Sequence, residues 1–223
     1  MANGTWRAFL EQWRRQRLLI LGLGVSNRPL ARMLLAAGCR VTGCDRTSRE
    51  QADREVLALE ELGMELRLGP GYLDGLEADV VFRTPGMHPA HPALQALRAR
   101  GAVVTSEMEV FFQVCPCPIL AVTGSDGKTT TTTLIAEMLK ADGKRVWLGG
   151  NIGRPLLPEV EHMTPSDWAV VELSSFQLMD MDRSAQVAVV TNLAPNHLDV
   201  HKDMEEYVRA KRQVFLHQKA GDV

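Results

Sequence analysis

No apolar run in this chain approaches the roughly 20 residues that a helix needs to cross a bilayer. The longest near the start, Leu18 to Val25, is broken by Gly22 and Gly24. The first residues lack the apolar core of a secretory signal, because Arg14, Arg15 and Arg17 follow Trp13 directly. Positive charge is not in excess either. The 25 Lys and Arg stand against 27 Asp and Glu, a net charge of −2, which argues against non-specific nucleic-acid binding, a mode that needs a basic surface. Aromatic residues are scarce, at 5% against a hydrophobic content of 45%, as expected of a soluble α/β protein built on Leu, Val and Ala. Cysteine is limited to Cys39, Cys44, Cys115 and Cys117, and the Cys115-Pro116-Cys117 spacing is not that of a metal knuckle. All four are read as reduced, structural thiols. The expectation is a cytoplasmic protein with no membrane or nucleic-acid partner, whose 223 residues fill one large or two ordinary domains.

What is present is organised around Ile119 to Thr130. Ile119-Leu120-Ala121-Val122 reads as a buried parallel strand, a turn carrying Gly124 and Gly127 follows, and the Thr-rich run into Leu134-Ile135-Ala136 starts a helix. Such a turn points backbone N–H groups inward and adds the positive end of the new helix, which suits a polyphosphate. Gly124, Ser125, Asp126, Gly127, Lys128, Thr129 and Thr130 are the expected nucleotide contacts, with Lys128 reaching the β/γ-phosphates and the Thr129 hydroxyl ligating Mg²⁺. The strict G-x-x-x-x-G-K-[ST] pattern fails, because Val122 stands at its first glycine; the shorter T-G-x-x-G-K-T stands instead.

Before that loop, the spacing of Trp6, Phe9, Leu10 and Trp13 predicts a helix, followed by a strand at 17–21, a glycine turn at 22–27, a helix at 29–37 and a strand at 41–44 ending in Asp45. Strand, glycine turn, helix, strand and acid together form a mononucleotide-binding unit, with Asp45 near the spacing at which an acid meets a ribose or base. Asn27 replaces the third glycine, so the dinucleotide fingerprint is incomplete. Further strands are expected at 64–68 and 79–82, the second running into Thr84-Pro85-Gly86 between His88 and the sheet. His88 and His91 read as solvated loop histidines. Ser106, with Glu109 three residues on, predicts a capped helix to Val114; Pro116 and Pro118 then separate the halves, placing domains at 1–108 and 109–223.

In the second half, helices are expected at 129–141 and 204–218, and strands at 145–148, 168–172 and 187–190. In a parallel sheet the carboxyl ends of these strands share one edge, so Lys128, Glu172 and His197 are expected to converge. Ala220 to Val223 reads as a loop entering another strand.

Taken together, T-G-S-D-G-K-T-T, G-G-N-I-G, E-L-S-S-F-Q, N-H-L-D-V-H and Y-V-R-A-K, preceded by G-L-G-V-S-N, C-D-R and T-P-G, resemble the Mur ligase family over nearly all of the chain. The resemblance implies a Rossmann-like UDP-sugar-binding domain followed by part of a P-loop-type ATP-binding domain, with the family's C-terminal ligase domain absent and the chain by itself an inactive portion. It implies an ATP- and Mg²⁺-dependent ligase joining D-glutamate to UDP-N-acetylmuramoyl-L-alanine through an acyl phosphate, and a monomer. Other Mur-type acceptors, or a non-catalytic UDP-sugar- and ATP-binding module, are the alternatives. By the same resemblance Lys128, His197 and Lys211 are catalytic, and Thr129, Glu172, His197 and a carbamylated Lys211 serve the metal. Val25, Ser26, Asp45, Arg46 and Gly86 match uridine and diphosphate positions, and Asn151, Ser174 and Gln177 match positions against the muramoyl-alanine.

Overall fold

The computed structural model describes residues 6–195 and 201–223, in two compact units, Met1–Glu107 and Met108–Val223. Unit 1 runs α1 (Trp6–Trp13), β1 (Arg17–Leu21), α2 (Asn27–Ala36), β2 (Arg40–Asp45), α3 (Arg54–Glu61), β3 (Glu65–Leu68), β4 (Val80–Arg83), α4 (Pro92–Ala99) and β5 (Val103–Thr105). Its five strands are all parallel in the order β3-β2-β1-β4-β5. The unbroken Leu18-Leu19-Ile20-Leu21 run puts β1 in the middle, because only a strand covered on both faces buries every side chain. The aromatic side of α1 is fixed to this sheet by Trp13, whose ring meets Phe82 of β4 edge-on at 5.3 Å between centroids. Asn27 explains the missing glycine. Its buried side-chain amide donates to the Gly22 carbonyl at 2.8 Å, so it closes the turn after β1 from within.

Unit 2 contains most of α5 (Glu107–Val114), then β6 (Ile119–Thr123), α6 (Lys128–Ala141), β7 (Val146–Gly150), a 3₁₀ turn (Leu157–His162), β8 (Trp168–Glu172), α7 (Ser175–Leu178), β9 (Val187–Val190) and α8 (Met204–Leu216). The parallel order is β7-β8-β6-β9. Every residue of β6 is buried. The chain leaves β6 toward β7 and β8 on one side and later returns as β9 on the other, so the strand order reverses at β6 and opens a crevice at its carboxyl end. The carboxy-terminal residue lies along β9: Val223 N donates to the Gln186 carbonyl and its own carbonyl accepts from Ala188 N, both at 2.8 Å. Among the described residues no helix is long and apolar enough to cross a membrane.

One polar group inside unit 2 ties β7 to the approach to β8. The carboxylate of Asp167, 3% exposed, accepts from Trp147 Nε1 at 2.8 Å and from Thr164 N and Oγ1 at 3.1 and 2.8 Å. Burial pushes its pKa up, but these donors outweigh it and hold the group below the usual value. A depressed carboxylate stabilises the fold above its unfolded pKa, and this stabilisation is lost as pH falls through the folded value. Trp147→Phe is therefore expected to cost about 1–3 kcal/mol at neutral pH through the loss of one of the three donors to this buried carboxylate, with a smaller penalty in acid. Urea titrations at the two pH values check both the cost and its pH dependence.

Candidate nucleotide-binding site

The carboxyl end of β6 passes through residues 124–127 into α6. Gly124 (φ +147°) is buried where the Cβ of any other residue would collide with the Thr191 side chain and lie 3.2 Å from Asn192 N. Thr191 and Asn192 follow β9 and hold the loop from that side. Asn192 Oδ1 accepts from Asp126 N at 3.0 Å, Asn192 O accepts from Ser125 N at 3.1 Å, and the Thr191 hydroxyl donates to the Asp126 carbonyl at 2.6 Å. Gly127 (φ +77°) then starts α6, whose first-turn N–H groups have no intrahelical acceptors. Thr129 and Thr130 lie exposed in that turn. A backbone pinned from β9, with a helix N-terminus facing outward, is a preformed anion cradle.

Two ammonium groups reach this loop. Lys128 Nζ donates to the carbonyls of Gly124 and Ser125 at 3.0 and 2.9 Å, and Lys211 Nζ, from α8, donates to the same Gly124 carbonyl at 2.7 Å. Lys211 is 3% exposed and also lies 4.6 Å from the Tyr207 ring centroid. Burial, and then the charge of Lys128, push its pKa down to about 8. Tyr207 is fixed in turn by Ser125. The Ser125 hydroxyl gives its single proton to the Ala194 carbonyl at 2.8 Å, so the Tyr207 phenol, 2.9 Å away, donates to it, as does Ala194 N at 2.9 Å. The Ser125 side chain thus shapes the loop with every valence engaged. A lysine whose folded pKa lies below its unfolded one weakens the fold where both states are charged. Stability recovers as pH rises from the folded value toward the ordinary one of 10.5. Lys211→Met is accordingly expected to raise the denaturation midpoint at pH 7 and to flatten the rise of stability between pH 8 and 10, measured by urea unfolding across that range.

Glu172 ends β8 beside the loop. It is 1% exposed, and its two oxygens accept from Thr129 Oγ1 at 2.7 Å and Asn151 Nδ2 at 2.8 Å. Among the described residues no Lys, Arg or His pairs with it. A buried carboxylate with neutral donors only is short of positive charge. Thr129 and Glu172 offer one hydroxyl and one carboxylate, and no group of three His, Cys, Asp or Glu side chains gathers among the described residues. This donor set fits Mg²⁺ in the form it takes with nucleotides, where one or two protein oxygens are completed by phosphate and water. His197, expected beside it, falls outside the described residues. Ser174 and Gln177 form a reciprocal cap on α7: Gln177 N donates to Ser174 Oγ at 3.3 Å and Ser174 N to Gln177 Oε1 at 3.0 Å. The S-x-x-Q spelling carried this signal, and it would have located α7. Beyond it, the buried Ser175 hydroxyl meets His201 Nε2 at 2.8 Å, and His201 stacks on Phe176 with centroids 5.1 Å apart.

In unit 1 a separate cleft of about 560 Å³ opens at the carboxyl edge of the sheet, lined by Gly22, Asp45, Arg46, Gly86 and also Tyr72, His88 and His91. Asp45 is held by Leu23 N at 2.8 Å and Thr47 N at 2.9 Å. Burial raises its pKa, but these backbone donors prevail and hold the carboxyl below the usual value. Val25 is exposed on the turn after β1 and Ser26 directly precedes α2; neither lines the cleft. His88 and His91 were legible only as loop residues. Each accepts a backbone N–H on Nδ1, from Ala90 at 3.1 Å and Ala93 at 3.2 Å, which leaves Nε2 as the other polar atom of each ring. Such a volume suits a small-molecule ligand.

A parallel sheet whose central strand enters a lysine-bearing phosphate loop, with a carboxylate at the next strand end, defines a nucleotide-binding α/β domain. Residues 122–223 match the Mur ligase middle domain. Over 209 residues the chain is 50% identical to the UDP-N-acetylmuramoylalanine–D-glutamate ligase of Clostridium botulinum, covering 93% of this chain and 46% of that protein. The enzyme of the same name from Clostridium tetani is 49% identical over 222 residues, covering 99% and 48%. The chain thus spans about half the length of the curated relatives it matches. Among solved structures, the UDP-N-acetylmuramate:L-alanyl-gamma-D-glutamyl-meso-diaminopimelate ligase from Neisseria meningitides aligns with a TM-score of 0.58 at 20% identity, over 92% of this chain and 69% of that one. The UDP-N-acetylmuramate-alanine ligase from Thermotoga maritima aligns at 0.53 and 22%, over 92% and 48%. Identities this low speak for the fold alone.

Proposed function

We propose that these residues belong to an ATP-dependent ligase that joins D-glutamate to UDP-N-acetylmuramoyl-L-alanine in the synthesis of peptidoglycan precursors. The observation that carries the reading is the cradle at the end of β6, with Lys128 on the loop and Thr129 hydrogen-bonded to Glu172, in a chain half identical to ligases of that name. The carboxylate of the UDP-sugar attacks the γ-phosphorus of ATP and the bond to the bridging oxygen breaks, giving an acyl phosphate and ADP; the D-glutamate amine then attacks the acyl carbon, loses a proton and expels phosphate. Two anions must meet, so the site has to supply positive charge and fixed geometry. Lys128 faces the β/γ-phosphates, the first turn of α6 supplies N–H donors, and Thr129 and Glu172 hold Mg²⁺, which spreads the phosphate charge when bound. The cleft bearing Asp45, Arg46 and Gly86 takes the uridine diphosphate end, and Val25 and Ser26 meet that ligand from the turn between β1 and α2, outside the cleft lining; Asn151, Ser174 and Gln177 serve the muramoyl-alanine. His197 serves a second Mg²⁺.

Lys211 is read as a carbamate. A pKa of about 8 leaves a useful fraction of neutral amine to react with CO₂, and the product would reverse the sign of a charge crowded by Lys128. Carbon-13 NMR after incubation with labelled bicarbonate is expected to show a carbamate resonance that Lys211→Arg removes. Persistence of that signal in the variant would reject the assignment. For the reaction itself, ATP turnover by the full-length parent enzyme with a panel of amino acids is decisive. A preference for D-glutamate is expected, and a preference for any other acceptor overturns the reading.

A further inference from the structure

Cys115 and Cys117 lie between α5 and β6, separated by Pro116, with their sulfurs 3.5 Å apart. Cys117 is 4% exposed and Cys115 half-buried. We propose that this pair is a redox-active dithiol, which closes to an intramolecular disulfide when a peroxide oxidises it and reopens with a low-molecular-weight thiol.

The geometry favours closure. Residues two apart span at most about 7 Å between Cα atoms, against the 4.4–6.8 Å usual across a disulfide. The sulfurs need to approach by only about 1.5 Å to reach bonding distance, a movement that side-chain rotation can supply. The strand that follows is anchored independently, by Ala169 N on the Pro118 carbonyl at 3.0 Å and by Ile119 N on Gln186 Oε1 at 2.8 Å, so the ring can close without moving β6.

The two thiols are also unequal. Cys115 Sγ lies 3.4 Å from the Cys117 carbonyl as well as facing its sulfur. That hydrogen bond holds the Cys117 thiol below its ordinary value and Cys115 well above. With the Cys115 thiol as the donor toward the Cys117 carbonyl and sulfur, the thiolate of the pair forms on Cys117, which is the nucleophile. Its thiolate attacks one peroxide oxygen, the O–O bond breaks, and the departing hydroxide takes the Cys115 proton to form water, leaving a sulfenic acid on Cys117. The Cys115 thiolate then attacks that sulfur, the S–O bond breaks, and the second hydroxide is protonated by solvent. Two thiols and one hydrogen peroxide become one disulfide and two waters. Cys39 and Cys44 contrast with this pair. Burial raises both, Cys44 to about 12, which leaves them as inert thiols.

The test treats the 223-residue chain with stoichiometric hydrogen peroxide under native conditions and follows intact mass, peptide mapping and thermal melting. The expected product has lost two hydrogens, carries a Cys115–Cys117 link, retains the Cys39 and Cys44 thiols, melts as the reduced chain does and returns to the starting mass with dithiothreitol. Cys115→Ser, a near-isosteric change, should stop at sulfenic acid on Cys117. Four unmodified thiols, an oxygenated Cys115 in place of the link, or oxidation confined to Cys39 and Cys44 would each overturn the proposal. Loss of folded structure on oxidation would overturn it too, because closure is argued to be local.

Discussion

Lys128→Ala is expected to lower ATP turnover in the ligase proposed above by about two to three orders of magnitude, the usual cost of deleting a group aimed at developing charge. Gly124 and Gly127 fix the backbone, and the Lys128 ammonium lies against two loop carbonyls, 3.0 and 2.9 Å away, on the side where the first turn of α6 opens. A triphosphate bound there would compete with the carbonyls for that ammonium and bring its charge against the phosphate. The backbone N–H groups remain in the variant, so nucleotide should still bind, more weakly, while the chemical step suffers most. Steady-state kinetics separate the two, with kcat falling and KM changing less. Lys211 does not replace the lost charge, because it is buried against Tyr207 and pushed toward neutrality. Thermal melting should stay near that of the parent, since Lys128 is only half-buried. A variant with undiminished kcat would show that the loop does not handle the transferred phosphate.

Gly150→Ala is expected to cost about 3 kcal/mol or more, a large share of the roughly 5–15 kcal/mol by which a domain is stable. Gly150 closes β7 at φ +98°, and an alanine Cβ there would strike the Glu172 carbonyl oxygen of β8, the same oxygen that accepts from Asn151 N at 2.8 Å. The two strands must part or the backbone must twist, and both break the register that brings Gly150 opposite Glu172. Gly127→Ala is the control. It too has a positive φ, of +77°, but nothing lies within 4 Å of the added carbon, so only the conformational cost of about 1–2 kcal/mol remains. Urea midpoints for the two variants should differ accordingly, and equal midpoints would refute the steric argument. Any Gly150→Ala protein that does fold should also bind Mg²⁺-nucleotide poorly, because the displaced strand end carries Glu172.

Much of this was legible from spelling alone. The four-residue apolar runs in β1 and β6, each followed by a glycine turn and a helix, pointed to parallel sheets with ligand sites at their carboxyl ends, and those are the strands found at the sheet centres. Strand order was not legible. Periodicity says that β8 is buried on both faces but not that it slots between β7 and β6. The contacts that tune the site were hidden for a related reason. Ser125 and Tyr207 are 82 residues apart, and Gly124 and Lys211 are 87 apart, so no local pattern announces them. The Asn27 substitution looked like a defect in a fingerprint until its amide was seen to close the turn. Ser174 and Gln177 had the spelling of a helix cap, and their side chains form one.

The single peptide oxygen of Gly124 that receives both lysine side chains has a kinetic corollary. Lys128 has no carboxylate partner among the described residues, so the loop presents positive potential to incoming polyanions. Ionic strength should therefore slow capture far more than it hastens release. Arrival is steered through screened solvent, whereas the docked anion sits inside the screening cloud. Stopped-flow traces across a salt series would separate the two.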